Sequence, residues 1–268
     1  MVPAILFGGF AMTIALVTGT SSGIGLATSV SLARRGHRVI ATMRDLNRAT
    51  ELRKITEAEN LPISFEKLDV NSDASVDDLM GRLLGEHGQI DVLVNNAGLG
   101  GGGSIEELPL GFFREIMETN YFGALRCIKA LIPNMRTRRS GCIINVTSIA
   151  GRMAIAPAGP YAASKWALEA LSECLAQEMK AFNVRVAIVE PGVIATPIFS
   201  KARPLPPNSP YPHARRQRAL FYGLSVPANL SLRRRREDLR NCGERRLAAS
   251  LSRWPGRRTF PQMACEQN

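Results

Sequence analysis

The fold is decided by the stretch "TIALVTGTSSGIGLATSVSLARR", residues 13–35. Its apolar start predicts a buried strand, and helical periodicity follows from Gly23 to Arg35. The glycines between them lack a Cβ, so the backbone can approach a pyrophosphate at the positive N-terminus of the helix. An ordinary glycine-rich turn is the alternative, but the position between strand and helix favours a phosphate site. The residues predicted to form it are Gly19, Ser21, Ser22, Gly23, Ile24 and Gly25.

The same alternation of apolar runs and helical segments continues to residue 189. Six runs are typical of strands: "TIALVT" (13–18), "RVIAT" (38–42), "ISFEKLDV" (63–70), "IDVLVN" (90–95), "GCIINVTS" (141–148) and "VRVAIVEPG" (184–192). Helical periodicity covers, among others, Gly23–Arg35, Ser75–Glu86, Phe112–Met135 and Tyr161–Phe182. This order predicts a single α/β domain with a doubly wound parallel sheet and helices on both of its faces.

Charge is distributed unevenly along the 268 residues. The formal net charge is +11, yet residues 1–202 carry 20 Lys and Arg against 19 Asp and Glu. Residues 203–268 carry 14 Arg, no Lys and four acidic residues. The nearly neutral body argues against a specific nucleic-acid partner, because such partners require a basic face on the folded domain.

The cysteines and histidines indicate the cellular compartment and whether a metal site is expected. The five cysteines form no CxxC pair, and three lie in apolar stretches, which suits free thiols in a reducing cytoplasm. The three histidines are scattered without ligand spacing, so we expect no metal site. We therefore predict a cytoplasmic protein.

The two ends of the chain differ from the body. "MVPAILFGGFAMTIALV" lacks the basic region and cleavage site of a signal peptide, and it is short for a membrane span. We predict an N-terminal extension at 1–11, a catalytic domain at 12–202, and an atypical Arg-rich segment at 203–268. In that segment we find no convincing seventh strand. Three interpretations of this segment are open: an altered reading frame, a basic extension that binds polyanions, or, at Arg233–Glu237, a solvated helix face.

The end of the second strand bears on the choice of cofactor. An acidic residue about 20 positions after the glycine loop would bind the ribose 2′-hydroxyl of NAD. Here the chain reads "ATMRDL" (41–46), with Met43 at the strand end, Arg44 next and Asp45 beyond it. Asp45 suits a helix cap, whereas an arginine can pair with a 2′-phosphate. The sequence therefore favours NADP(H) over NAD(H), with Arg44 as its ligand.

The stretch "GPYAASKWALEA" (159–170) places Tyr161 and Lys165 four residues apart on a predicted helix. Their spacing alone does not separate a catalytic pair from an ordinary helix face. With "TGTSSGIG", "NNAG" (95–98), "TNYFG" (119–123), Ser148, "YAASK" (161–165) and "PGVIAT" (191–196), however, the chain resembles the short-chain dehydrogenases/reductases. The likeness covers residues 13–198, and it is strongest to NADP-preferring hydroxysteroid and retinol dehydrogenase-like members.

The resemblance implies a Rossmann-type fold and an oxidoreductase with a catalytic set of Asn120, Ser148, Tyr161 and Lys165. Tyr161 would give its proton to the carbonyl oxygen as hydride arrives, and Lys165 would lower the pKa of that tyrosine. Ser148 would hydrogen-bond the substrate oxygen, and Asn120 would anchor a water that links Lys165 to solvent. Alone, Ser148 could be a strand-end turn residue and Asn120 a helix surface residue.

The resemblance also implies which other residues hold NADP(H). Asp69 and Val70 would meet the adenine, although Asp69 could instead cap the next helix. The "NNAG" motif could be a plain turn, but by resemblance Asn96, Ala97 and Gly98 line the ribose side. The nicotinamide end would be held by Tyr161, Lys165, Pro191, Gly192, Val193 and Thr196.

The substrate and the partners follow from the same comparison. Apolar residues near the expected pocket favour a small hydrophobic carbonyl or alcohol: Ile149, Met153, Ile155, Ile194 and Phe199. Such folds pair through their fourth and fifth helices, which predicts a homodimer or homotetramer. The alternative function is a catalytically impaired NADP-binding sensor or scaffold of the same fold, against which the complete catalytic set argues.

Overall fold

The short apolar runs form one six-stranded sheet in the computed structural model, which describes residues 13–196, 198, 209–211 and 226–227. Its strands are β1 Ile14–Thr18, β2 Arg38–Met43, β3 Ile63–Lys67, β4 Val92–Asn95, β5 Gly141–Val146 and β6 Val184–Val189. All pairs are parallel, in the order β3-β2-β1-β4-β5-β6. The predicted doubly wound parallel sheet is confirmed.

Six α-helices connect the strands. They are α1 Gly23–Arg34, α2 Thr50–Ala58, α3 Asp73–His87, α4 Leu110–Met117, α5 Gly123–Arg138 and α6 Gly159–Lys180. The helix predicted over 112–135 is divided, because a π-helical turn at Glu118–Phe122 separates α4 from α5. Sequence periodicity did not single out α2, which buries only one side chain, Leu52. The helix is only nine residues long and mostly polar, so it does not stand out as an apolar segment.

Both faces of the sheet are covered. On β1, Leu16 packs on the side of α3 and α5, while its neighbour Val17 packs on the side of α1 and α2. Successive strand residues point to opposite faces, so a strand apolar at every position must be buried twice. Leu16 and Val17 are both 0% exposed. The continuous apolar runs in the sequence are thus explained by two hydrophobic cores.

The topology places the site. The chain order reverses at β1, whose neighbours in the sheet are β2 and β4. The crossovers leaving these strands run to opposite sides and open a crevice at the carboxyl ends of the strands, where open α/β sheets bind ligands. Every loop that was predicted to hold cofactor follows the carboxyl end of a strand.

The predicted segments at the chain ends lie almost wholly outside the described residues. Residues 1–11 are outside them, and of residues 203–268 only 209–211 and 226–227 are described. A separate two-stranded sheet pairs β7, Ile194–Ala195, with β8, Val226–Pro227. The three-part division of the chain stays a prediction. Within the described ranges, no helix has the length and apolar character needed to cross a bilayer.

Candidate active site

The turn between β1 and α1 requires glycine at two positions. Gly19 has φ +72°, and a Cβ there would lie 2.7 Å from the Cα of Ala97. A Cβ on Gly25 would lie 2.4 Å from the carbonyl oxygen of Gly19 and 2.4 Å from the Asn96 amide nitrogen. The turn is therefore packed directly against the loop after β4. It leaves the N-terminus of α1 free of a capping side chain, since the Ser22 hydroxyl makes no cap hydrogen bond there.

The loop after β4 holds this turn in place. Asn96 Nδ2 donates to the carbonyl oxygens of Thr18 (2.8 Å) and Gly19 (3.1 Å). The Thr18 hydroxyl accepts from the backbone N–H groups of Asn96 (3.0 Å) and Ala97 (2.9 Å). Thr18 is 1% exposed, so these bonds are shielded from water. The "NNAG" motif thus supports the glycine turn, a role that the sequence did not reveal because its partner lies 78 residues away.

We expect Gly25→Ala to weaken NADPH binding by more than tenfold. Its methyl group would meet the backbone oxygen of Gly19, which cannot move without displacing the turn. Gly81→Ala is the matched control, because Gly81 lies within α3 and nothing is within 4 Å of its added Cβ. That control should keep its NADPH affinity and gain up to about 1 kcal/mol of stability. Titration of NADPH fluorescence measures the affinity of each variant, and thermal unfolding measures its stability. Equal affinities in the two variants would contradict the prediction.

The turn opens onto a cleft of about 390 Å³. Most of the residues predicted to bind cofactor line it: Gly19, Ser21, Ser22, Gly23, Ile24, Arg44, Asp69, Val70, Asn96, Ala97, Gly98 and Thr196. The remaining predicted residues are not in its lining: Gly25, Tyr161, Lys165, Pro191, Gly192 and Val193. The cleft accordingly gathers the phosphate and adenosine part of the predicted site, while the catalytic residues lie beyond it. The cleft fits a dinucleotide, because the glycine turn and the uncapped N-terminus of α1 present backbone N–H groups to it.

Two arginines reach the cleft past the end of β2. Arg44 lines it as predicted, and so does Arg48, which the sequence analysis missed. Both side chains are exposed, and neither has an ion-pair partner among the described residues. Asp45 accepts from the Asn47 N–H (3.0 Å) and caps the 3₁₀ turn Leu46–Ala49, as the sequence suggested. This turn brings Arg48 back beside Arg44, and their four-residue spacing was the signal that could have found it.

The end of β3 contributes a local turn. Asp69 Oδ1 accepts from the Asn71 N–H (3.1 Å), whereas the cap of α3 is Ser72, which accepts from the Ser75 N–H (3.2 Å). The alternative role of Asp69 as the cap of that helix is therefore wrong. Val70 is 6% exposed and lies against Gly123, where an added Cβ would be 2.7 Å from Val70 Cγ2. Both residues line the cleft.

Tyr161 is the third residue of α6 and lies close to Ser148, which follows β5. Burial raises the pKa of the Tyr161 phenol, and its hydrogen bond with Ser148 opposes this. The Ser148 hydroxyl caps the 3₁₀ turn Ile149–Gly151 by accepting from the Ala150 N–H (3.2 Å). A hydroxyl pair at this position can contact one substrate oxygen from two sides. The raised pKa keeps the proton on Tyr161 at neutral pH.

Lys165 lies one turn further along α6 and is 5% exposed. Its Nζ donates to the carbonyl oxygen of Val146 (2.8 Å) and lies 5.7 Å from the centre of the Tyr161 ring. Burial lowers the pKa of Lys165 to about 8, and the charge of Glu169 opposes this. We expected Lys165 to lower the pKa of Tyr161. The pKa of Tyr161 is nevertheless raised overall, because burial of the phenol outweighs its hydrogen bond with Ser148.

Asn120 lies within the π-helical turn and is 1% exposed. Its Oδ1 accepts from the Leu99 N–H (2.7 Å), and its Nδ2 donates to Leu99 O and to Ser164 Oγ (both 3.0 Å). The amide thus ties the loop after β4 to the catalytic helix α6. It is not the surface residue of the alternative interpretation. Its role in anchoring a water beside Lys165 stays a prediction.

The segment after β6 reaches both parts of the site. The Pro191 carbonyl accepts from the Ile149 N–H (3.0 Å) and from the Ser148 hydroxyl (3.5 Å). Five residues later, Thr196 lines the cleft. The segment 191–196, which was predicted to hold the nicotinamide end of a dinucleotide, therefore extends from Ser148 to the cleft.

Comparison with known proteins gives consistent matches. The family model described as short chain dehydrogenase matches residues 13–205. Retinol dehydrogenase 8 of Bos taurus is 42% identical over 190 residues, which make up 69% of this chain and 60% of that protein. The chain thus spans about three fifths of the length of that relative.

Two solved structures share the fold. A short-chain dehydrogenase from Streptomyces avermitilis superposes with a TM-score of 0.72 at 35% identity, covering 80% of this chain and 79% of the other. A variant of actinorhodin polyketide ketoreductase with NADPH superposes with a TM-score of 0.68 at 32% identity, covering 70% and 74%.

Proposed function

The chain belongs to the short-chain dehydrogenase/reductase family, and from that premise we propose that it transfers a hydride between NADP(H) and a carbonyl or alcohol substrate. The observation that carries the proposal is the continuity of the site. The glycine turn and two arginines lie in the cleft, and segment 191–196 leads from there to Ser148 beside Tyr161. A dinucleotide with its phosphates in the cleft would extend along this segment, so that Ser148 and Tyr161 would meet its nicotinamide end.

Ser148, Tyr161 and Lys165 have different roles in the proposed carbonyl reduction. When bound, NADPH supplies the hydride to the carbonyl carbon. Ser148 donates a hydrogen bond to the carbonyl oxygen, which stabilises the negative charge that develops on it. Tyr161 gives its proton to that oxygen and is left as a phenolate, and the positive charge of Lys165 stabilises this phenolate. The raised pKa of the Tyr161 phenol suits this direction, because the acid form is present at neutral pH.

We propose NADP(H) as the preferred cofactor because of charge at the adenosine end. Arg44 and Arg48 both reach the cleft beside Asp69 and Val70. A 2′-phosphate offers these guanidinium groups a charged, bidentate acceptor, whereas the 2′-hydroxyl of NAD does not. The structural relative with NADPH agrees with this choice.

We propose a hydrophobic substrate because apolar side chains occur in the chain segments that flank Ser148 and Tyr161. Ile149 is 43% exposed directly after Ser148, and Ile155 is 37% exposed in the loop before α6. Met153 and Ile194 are half-buried in the same region, and Phe199 lies outside the described residues. Exposed isoleucines cost free energy unless something apolar covers them. The similarity to retinol dehydrogenase 8 agrees with a lipophilic carbonyl or alcohol.

The test of the function is NADPH consumption by the purified chain. Retinaldehyde, steroid ketones, acyl ketones and quinones should be compared with small polar ketones, and we expect turnover with members of the lipophilic group alone. NADPH binding without turnover of any compound would instead support the sensor or scaffold function. Turnover of polar ketones at equal efficiency would contradict the proposed substrate class.

We further propose that the chain forms a homodimer or homotetramer. Leu110 at the start of α4 and Phe122 in the π-helical turn are 63% and 41% exposed, and Trp166 on α6 is 50% exposed. Large exposed apolar side chains on neighbouring helices are typical of subunit interfaces. Light scattering from the purified protein measures the mass directly, and a monomer at micromolar concentration would contradict this proposal.

A further inference from the structure

A buried carboxylate lies next to the catalytic helix positions and has no part in the function proposed above. Tyr161, Lys165 and Glu169 follow one another at intervals of four residues on α6, so their side chains share one helix face. Glu169 is 3% exposed, and Lys165 is 5% exposed. An ionised glutamate at this depth requires compensating positive charge.

One guanidinium approaches this carboxylate. Arg152 Nη2 lies 3.0 Å from Glu169 Oε2, an ion-pair contact that is out of line for a hydrogen bond. The other nitrogens of Arg152 lie 3.0 Å from Glu173 Oε1 and 2.9 Å from Glu190 Oε1. Three acidic side chains therefore share a single Arg152, and their negative charge is not fully balanced by it. Glu173 and Glu190 are partly solvated, whereas Glu169 is not.

The backbone fits this arrangement closely. Arg152 follows the 3₁₀ turn that Ser148 caps, so the ion pairs connect the serine segment to α6 and to the end of β6. Gly151 makes room for the carboxylate, since a Cβ there would lie 2.9 Å from Glu169 Cγ and 3.2 Å from Glu169 Oε1. Glu169 is thus held at a set position, with Lys165 as the buried cation on its own helix face.

We propose that Glu169 is a positioning residue of the reaction, held by Arg152 one helical turn beyond Lys165, where its negative charge keeps the buried ammonium charged beside Tyr161. The inference rests on the proposed function, because Lys165 acts through the phenolate of Tyr161. Glu173 on α6, Glu190 directly after β6 and Arg152 in the loop after β5 are the charged groups that shift the pKa of the Glu169 carboxyl.

The pKa values act in the direction that this role requires. Burial lowers the pKa of Lys165 to about 8, and Glu169 opposes that decrease. Burial raises the pKa of the Glu169 carboxyl, a hydrogen bond with Thr147 and the charge of Arg152 oppose that increase, and the charges of Glu190 and Glu173 add to it. Without the Glu169 charge, Lys165 would lose its proton at a lower pH. In reduction, Lys165 must be protonated to stabilise the phenolate, so the rate would fall earlier on the alkaline side.

The direct test measures the titration of Lys165 in the cofactor-free protein. The chain has six lysines, so ¹³C-lysine labelling gives few signals, and Lys165→Met identifies the one required. We expect the Lys165 signal to titrate near pH 8 in the wild type. In Glu169→Gln we expect its midpoint to fall by about one pH unit, and Glu169→Asp should largely restore it. An unchanged midpoint in Glu169→Gln would overturn the proposal.

Two further variants complete the design. Glu173→Gln is the matched control, because Glu173 lies on the same helix and forms an ion pair with the same arginine. Its side chain is 56% exposed, so water screens its charge. Its Lys165 midpoint should not move, and a shift equal to that of Glu169→Gln would contradict a specific role for Glu169. Glu169→Met removes the buried charge without leaving a polar group, so it keeps the test valid if Glu169→Gln does not fold.

The pH dependence of NADPH oxidation supplies the functional arm. In Glu169→Gln the alkaline limb of the kcat–pH profile should move to lower pH, by the same number of pH units as the Lys165 midpoint. A merely structural ion pair would lower thermal stability and leave that limb in place. If no carbonyl compound is turned over, the proposed function fails, while the titration of Lys165 still decides whether Glu169 sets its charge.

Discussion

Tyr161→Phe should lower kcat for carbonyl reduction about a thousandfold, which corresponds to about 4 kcal/mol of transition-state stabilisation. The substitution removes the hydroxyl that donates the proton and retains the ring that packs at the start of α6. Because Lys165 is held by the Val146 carbonyl and not by the phenol oxygen, its position does not depend on that hydroxyl. The Kd of NADPH should therefore change less than threefold.

Tyr121→Phe is the control for this experiment. It makes the same chemical change in a tyrosine whose ring packs against Phe122, 4.9 Å between centroids, away from Ser148. Its turnover should match that of the wild type. Stopped-flow measurement of NADPH oxidation separates the hydride step from product release. Turnover of Tyr161→Phe at the rate of the control would rule out the acid role of Tyr161.

Loss of Arg44 and Arg48 together should raise the Kd of NADPH about a hundredfold and leave the Kd of NADH within about twofold. Each arginine can make a charge-assisted hydrogen bond to the 2′-phosphate, and such bonds contribute about 1.5–3 kcal/mol. The single variants should each lose roughly tenfold. Solvent exposure of both side chains means that the preference should decrease at high salt.

Arg53→Ala is the matched control for the arginine pair. Its guanidinium stacks on the ring of Phe65, 4.3 Å from the centroid, near the same edge of the sheet but outside the cleft lining. Calorimetric titration with both cofactors should show no change in their affinity ratio for this variant. Equal losses for NADPH and NADH in Arg44→Ala would mean that the end of β2 does not select the 2′-phosphate.

Sequence reasoning succeeded where the pattern is local. The strand, the glycine turn and the first turn of α1 are adjacent in the chain, so residues 13–35 predict both elements and the turn between them. The cap at Asp45 could also be predicted, because a capping side chain bonds to a backbone N–H only two residues away. The same holds for the six strands, whose apolar runs require burial on both faces.

The misses involve spatial neighbours that are distant in sequence. Arg48 is the exception, because it is only four residues from Arg44 and returns to the cleft through a 3₁₀ turn that helix periodicity did not indicate. The division of the long helix at Glu118–Phe122 places Asn120 between Leu99 and Ser164, 21 and 44 residues away in the chain. The expected decrease in the pKa of Tyr161 was reversed, because burial depends on the whole packed site.

The sequence by itself determined the fold and the glycine turn, since each follows from the order of neighbouring residues, and its resemblance to a family supplied the candidate catalytic residues. Only the tertiary structure decided how those residues are charged and held. The Lys165 ammonium is buried under β5, and Glu169 meets an arginine that lies 17 positions earlier in the chain. Desolvation and ion pairing depend on what surrounds a group in space, and packing alone supplies those surroundings.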